Sequence, residues 1–142
     1  MRPSPIIWFE RLIFASLLIE AVHSYLSREQ LLADAGGMGF SPAAFVVIVH
    51  IVVGGLLIWL TLLVSRRRSK AAMWVSIILF MVGLPFTYDM IAADNSVFAN
   101  VLLVLQLLVG LIAYGLLFTP SARTWMNGIS GSADAVIDDE FS

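Results

Sequence analysis

One glutamate and two histidines form the chemically most informative pattern in this sequence. Glu20-Ala21-Val22-His23 places a carboxylate and an imidazole three residues apart, which puts them on one face of a helix. That spacing lets both side chains reach one ion, and His50 adds a third ligand that Zn²⁺ and Cu²⁺ accept. The pattern therefore predicts Glu20, His23 and His50 as candidate metal ligands.

Three other interpretations of these residues stay open. A b-type haem could lie between His23 and His50, and the same groups could relay protons or a substrate. Alternatively, Glu20 pairs with one of the histidines and only fixes how two helices pack. A di-iron centre is disfavoured, because it needs a second Glu-x-x-His motif and two further glutamates.

The sequence lacks the motifs of the common enzyme classes. It contains no cysteine, which excludes disulfides, thiolate metal sites and cysteine nucleophiles. It also has no HExxH motif, no Ser-His-Asp order and no phosphate-binding glycine loop before a helix. It has no basic face interleaved with aromatic residues, so nothing in it indicates nucleic-acid binding. These absences favour a non-enzymatic accessory or binding component, with a small carrier or a metal- or proton-binding protein as the alternative.

The composition indicates an integral membrane protein. The 142 residues are 60% hydrophobic and 13% charged, and their mean hydropathy is +0.94. A soluble domain is about half apolar and about a quarter charged, and a chain of this length has too little interior to bury the excess.

Four apolar segments are each long enough to cross the hydrocarbon layer as a helix, which takes about 20 residues. They run over residues 6–26, 43–64, 71–92 and 97–118. The first contains Glu10, Arg11 and Glu20, and is longer than the apolar part of a signal peptide, so we expect a membrane span. Short connections predict an all-α, antiparallel four-helix bundle over residues 1–120. The polar, acidic residues 121–142 are expected to be disordered.

The basic residues predict the orientation of these segments. Arg66, Arg67, Arg68 and Lys70 lie between the second and third spans, and positive charge favours the cytoplasmic side. If this turn is cytoplasmic, both termini and seven of the eight basic residues are cytoplasmic too, and only Arg28 is outside. Glu20, His23 and His50 then fall in the outer half of the bundle. Asp89, Asn100 and Gln106 fall at the same depth and form a possible polar cluster.

Small and polar residues mark the faces on which membrane helices pack. The first three spans each have such residues at helical spacing, so we expect these stripes to face the bundle interior. Pro85 is expected to kink the third span. Glu10 and Arg11 lie close to the inner boundary, where their charges can reach the headgroups. The three stripes consist of Ser16, Glu20, His23 and Ser27; Ala43, His50, Gly54 and Thr61; and Ser76, Gly83, Thr87 and Asp94.

Two terminal motifs resemble those of a family. The resemblance is to small bacterial four-span membrane proteins of unknown function. It is carried by the opening Arg2-Pro3 and Trp8-Phe9-Glu10-Arg11-Leu12, by a basic turn midway, and by the ending Leu116-Leu117-Phe118-Thr119-Pro120-Ser121-Ala122-Arg123-Thr124-Trp125. The resemblance implies a location in the bacterial inner membrane. It implies no activity, and Glu20, His23 and His50 do not map onto that group.

Overall fold

The chain folds into α-helices throughout the part that the structure describes. The computed structural model describes residues 2–35, 41–93 and 96–128. Its six helices are α1 (Ser4–Leu26), α2 (Arg28–Ala35), α3 (Pro42–Arg67), α4 (Lys70–Ala93), α5 (Val97–Leu116) and α6 (Pro120–Met126).

The helix starts follow from proline and capping residues. Proline lies in the first turn of α1, α3 and α6, where its missing N–H costs no intrahelical hydrogen bond. Ser96 caps α5 by accepting a hydrogen bond from the Ala99 amide at 3.4 Å. α4 stays helical through Pro85. The all-helical prediction is confirmed for the described residues, and the four predicted spans correspond to α1, α3, α4 and α5.

The four long helices contact one another in a closed order. α1 packs most extensively on α5 and also on α3, while α4 joins α3 to α5. The N-terminal half of α1 and the C-terminal halves of α3 and α5 meet in one core. This core comprises Ile6, Phe9, Ile13, Leu60, Val64, Ala72, Ala113, Tyr114, Leu117, Ala122 and Met126. Phe9, Phe80 and Tyr114 link three helices there, with ring centroids 5.9 Å and 4.9 Å from Tyr114.

We call this end of the molecule the basic end, defined by Arg2, Arg66, Arg67, Arg68 and Lys70. The other end, which carries Glu20, His23 and His50, is the opposite end. A left-handed Arg68 (φ 55°) terminates α3. Ser69 starts α4, because its Oγ accepts a hydrogen bond from the Ala72 amide at 3.2 Å. The basic turn is therefore a tight connection between two helices.

Among the described residues, three helices are long and apolar enough to cross a membrane: α3, α4 as far as Ala92, and α5. Much of their apolar surface points outward, and at most 28% of the apolar stretch of any of them is buried. α1 is of similar length but carries the charged residues Glu10, Arg11 and Glu20.

The region after Phe118 differs from its prediction. Residues 121–126 were expected to belong to a disordered tail, which is wrong, because they lie in α6 and bury Ala122 and Met126 in the core. Trp125 adds a contact, with its ring 3.9 Å from the Arg68 guanidinium carbon. The expectations for residues 36–39, for Asp94 and for residues 129–142 lie outside the described residues.

The small-residue stripes face the interior only in part. Thr61 and Ser76 are buried as expected. A Cβ added at Gly54 or Gly83 would meet no atom within 4 Å, so neither glycine marks a close helix contact. Gly110 does, because the same atom there would lie 2.7 Å from Phe80 Cε2.

Candidate functional site

The structure brings Glu20 and His50 together near the opposite end. Glu20 lies in the C-terminal half of α1 and His50 in the N-terminal half of α3, and these halves are neighbours because α1 and α3 pack together. Glu20 Oε1 is 3.8 Å from His50 Nε2, and about a third of each side chain is exposed (33% and 35%). A carboxylate and an imidazole at this separation attract each other when the imidazole is protonated.

Ser24 lies between these two side chains. Its Oγ is 2.6 Å from His50 Nε2 and 3.2 Å from Glu20 Oε1, so the hydroxyl touches both titratable groups. The other ring nitrogen, His50 Nδ1, is 2.8 Å from the Val46 carbonyl oxygen. A carbonyl oxygen can only accept, so Nδ1 carries a hydrogen and donates it, which turns Nε2 towards Ser24. We call Glu20, Ser24 and His50 the relay cluster.

His23 lies apart from the relay cluster. It is buried, with 1% of its surface exposed, and its Nε2 is 3.4 Å from Ser27 Oγ. Its Nδ1 has no hydrogen-bond partner within the described part of the chain. Along a helix, His23 is rotated about 60° from Glu20 in one direction, while Ser24 is rotated about 40° in the other. The face that α3 covers therefore contains Glu20 and Ser24.

The predicted three-ligand metal site is not assembled in this arrangement. Residues 2–35, 41–93 and 96–128 contain no group of three His, Asp or Glu side chains placed to hold one metal ion. Glu20 and His50 meet, but His23 bonds to Ser27. A site built from Glu20, His23 and His50 therefore stays a prediction that the geometry does not support.

The three residues of the possible polar cluster, Asp89, Asn100 and Gln106, differ in their burial. Asp89 is exposed, and its side chain makes no hydrogen bond or ion pair to another described residue. Asn100 and Gln106 are half-buried on α5. The Gln106 Oε1 atom is buried without a hydrogen-bond partner among the residues described. Asp89 therefore lies in a different environment from the other two.

A second polar centre, at the basic end, was not anticipated from the sequence. Glu10 was expected to reach the headgroups, yet its side chain is only 15% exposed and is bonded to two other segments. Arg2 Nη1 donates at 2.8 Å to Glu10 Oε2 and at 2.8 Å to Ser65 Oγ, and Ser65 donates to Glu10 Oε2. Arg66 Nη2 lies 4.0 Å from Glu10 Oε1. The carboxylate thus ties the N-terminus, α1 and α3 together.

Comparison with known proteins identifies no relative of this chain. No protein-family model, curated protein or solved structure matches the chain. Any functional conclusion therefore depends on the residues and contacts described above.

Proposed function

We propose that the chain is a four-span integral protein of the bacterial inner membrane, folded as an antiparallel four-helix bundle, and that it serves as a non-enzymatic membrane component. Its role would be that of an accessory subunit or small binding protein. Both termini and the basic end would lie in the cytoplasm.

The observation that carries this proposal is the outward-facing apolar surface of α3, α4 and α5. Large side chains such as Ile51 (68% exposed) and Phe86 (66% exposed) point away from the protein. Only 6% of the apolar stretch of α4 is buried, although that stretch is long enough to span a bilayer. A water-soluble monomer does not keep an apolar surface of this extent exposed, whereas lipid chains cover it without cost.

The charges of α1 fit a fourth span because both carboxylates have partners within the protein. Glu10 bonds to Arg2 and Ser65, and Glu20 contacts Ser24 and His50. An ionisable group is tolerated in a membrane when it faces the protein interior and is paired. Arg11 is exposed near the basic end, with its guanidinium carbon 5.7 Å from the Trp8 ring centroid, an arrangement suited to the headgroup region.

The orientation can be tested with two matched cysteine variants, since the chain has no cysteine of its own. Ser121→Cys places a thiol at the basic end and Ser41→Cys places one at the opposite end, and both serines are exposed. In spheroplasts, a membrane-impermeant maleimide should label Ser41→Cys at once. It should label Ser121→Cys only after the cells are broken. The reverse pattern would invert the proposed orientation, and recovery of the chain in the soluble fraction would exclude a membrane protein.

The proposed role has a separate test. Native mass spectrometry of the chain extracted in mild detergent should show a stoichiometric complex with a second membrane protein, well above the 15.6 kDa of one chain. A single chain alone, without any companion, would contradict an accessory role while leaving the topology result unaffected.

A further inference from the structure

We propose that Glu20, Ser24 and His50 form a proton-sharing site in which the Ser24 hydroxyl passes one proton between the carboxylate and the imidazole. This goes beyond a role as a membrane component. It also stands independently of the orientation proposed above, because it depends only on contacts between α1 and α3.

The first step is the hydrogen count at His50. Nδ1 lies 2.8 Å from the Val46 carbonyl oxygen and must donate to it, so the only variable hydrogen of the ring is the one on Nε2. The second step is the hydrogen count at Ser24, whose hydroxyl has one hydrogen but contacts two groups, at 2.6 Å and 3.2 Å. It can donate to one of them only, so the other contact needs a hydrogen from its partner.

Two arrangements of hydrogens satisfy every contact. Both contain one proton more than a Glu20 carboxylate, a Ser24 hydroxyl and a neutral His50 hold together. In the first, His50 Nε2–H donates to Ser24 Oγ and the Ser24 hydroxyl donates to the Glu20 carboxylate. In the second, protonated Glu20 donates to Ser24 Oγ and the Ser24 hydroxyl donates to bare His50 Nε2. Without the additional proton, the single hydroxyl hydrogen of Ser24 faces two acceptors, and one contact becomes repulsive.

The conversion between the two arrangements is a balanced proton transfer. The Nε2–H bond of His50 breaks as a new O–H bond forms on Ser24, and the original Ser24 proton moves to Glu20 Oε1. An imidazolium–carboxylate pair becomes a neutral imidazole and a carboxylic acid, and no other reactant is needed. The 3.8 Å between Nε2 and Oε1 is too long for direct transfer, which gives the hydroxyl a specific role.

Other charged groups near the opposite end do not enter the relay cluster. Arg28 lies 3.9 Å from Glu29, His23 bonds to Ser27, and Asp89 is exposed. In the described part of the chain, none of these groups bonds to Glu20, Ser24 or His50. The only polar side chain on α1 between Arg11 and Glu20 is Ser16, so this helix offers no ionisable group leading from the relay cluster to the basic end. α3 likewise contains no ionisable residue between His50 and Arg66. We therefore expect the site to exchange protons with one side only.

The test is nuclear magnetic resonance on the full-length protein in lipid nanodiscs, with ¹⁵N in histidine and ¹³C in the glutamate carboxyl groups. His50 Nδ1 should carry a hydrogen at every pH. Each titration step should change the His50 Nε2 and Glu20 carboxyl signals together, as expected for coupled groups. Ser24→Ala should weaken this joint change to what the direct attraction across 3.8 Å sustains, and Ser24→Thr, which keeps the hydroxyl, should restore it.

Ser27→Ala is the matched control, because it removes a hydroxyl that contacts the other histidine, His23, on the same helix. It should leave the joint change intact. A wild-type Glu20 signal that stays constant while His50 titrates would overturn the proposal. So would a His50 whose Nδ1 carries no hydrogen, or a Ser24→Ala protein that is folded and shows the joint change at its full wild-type size.

Discussion

Glu10 illustrates how the surroundings of a single residue decide its role. Its carboxylate is bonded to Arg2 and Ser65, and these partners are 8 and 55 residues away in the chain. The position of Glu10 near one end of α1 predicts a headgroup contact. Helical periodicity shows only which residues share a face, and it does not show which residues of other segments lie opposite that face. The tertiary contact between α1 and α3 instead makes Glu10 part of the protein interior.

We expect Glu10→Gln to destabilise the protein by about 1–3 kcal/mol, because the neutral amide oxygen accepts weaker hydrogen bonds from Arg2 and Ser65 than the charged carboxylate does. The effect should stay in the lower part of that range, since the Arg2 side chain is 37% exposed and can turn to solvent. Thermal unfolding in detergent is a suitable measurement. Glu29→Gln is the matched control, because the Glu29 side chain is 90% exposed, and it should leave the midpoint unchanged. Equal midpoints for both variants would show that the Glu10 contacts contribute nothing to stability.

The relay cluster could be predicted in part from the spacing of residues along the sequence. Helical spacing placed Glu20 on a polar stripe of α1 and His50 on one of α3, and the structure joins these two. His23 and Ser24 lie on either side of Glu20 around the helix, about 100° from each other, so either can accompany it. Which of the two meets His50 depends on the side from which α3 approaches. The sequence does not contain that information in any local pattern, which is why Ser24 was missed.

At the scale of helices, the helix type and approximate bounds were predictable from apolar length and from proline positions. Which glycines lie at helix contacts was not. The hydroxyls of Ser76 and Thr87 donate to the carbonyls of Ala72 and Gly83, one turn earlier in the same helix. Hydroxyl groups that donate hydrogen bonds within their own helix need no acceptor on a neighbouring helix. A pattern of small and polar residues on α4 therefore does not by itself identify a packing face.

Gly110 and Gly83 should respond in opposite ways to the same substitution. In Gly110→Ala, the new Cβ would lie 2.7 Å from Phe80 Cε2, and the ring has little room to retreat because it packs against Tyr114 at 4.9 Å. We expect a loss of about 1–3 kcal/mol from overpacking. Gly83→Ala meets open space and should be neutral or stabilise the helix by up to about 1 kcal/mol. Unfolding midpoints of the two variants, measured side by side, check the prediction, and an equal response would refute the close contact between α4 and α5.

The docking of α6 can be measured with a pair of methionine variants. Met126 on α6 is 7% exposed and belongs to the core, whereas Met81 on α4 is 49% exposed. We expect Met126→Ala to cost about 2–4 kcal/mol through the cavity it leaves. Met81→Ala should change stability by less than about 0.5 kcal/mol. If both variants unfold at the wild-type temperature, α6 does not pack on the core in solution.

At the scale of the whole molecule, the two ends differ in how tightly the helices pack. The core cluster lies at the basic end, where it includes two residues of α6 and where Glu10 bonds to Arg2 and Ser65. At the opposite end, the buried residues among those described include His23, Ala99 and Leu103, and α3 contributes none from its first half. The end that carries the relay cluster is thus the less tightly packed one, which agrees with the proposed exchange of protons on that side.

This asymmetry predicts a gradient of amide hydrogen exchange along each helix. In α3, the last two turns bury Leu60, Val64 and Ser65, so their amides should exchange more slowly than those of the first two turns. In α4, which begins at the basic end, the order along the chain should reverse, because its buried residues Ala72 and Ser76 lie in the first half. This reversed order distinguishes packing from two other effects. Lipid protects amides equally at the same depth on either side of the membrane centre, and fraying affects both ends of a helix. Exchange measured in nanodiscs should therefore follow distance from the basic end in both helices. Profiles symmetric about the middle of each helix would mean that lipid depth alone sets the protection and that the two ends pack equally well.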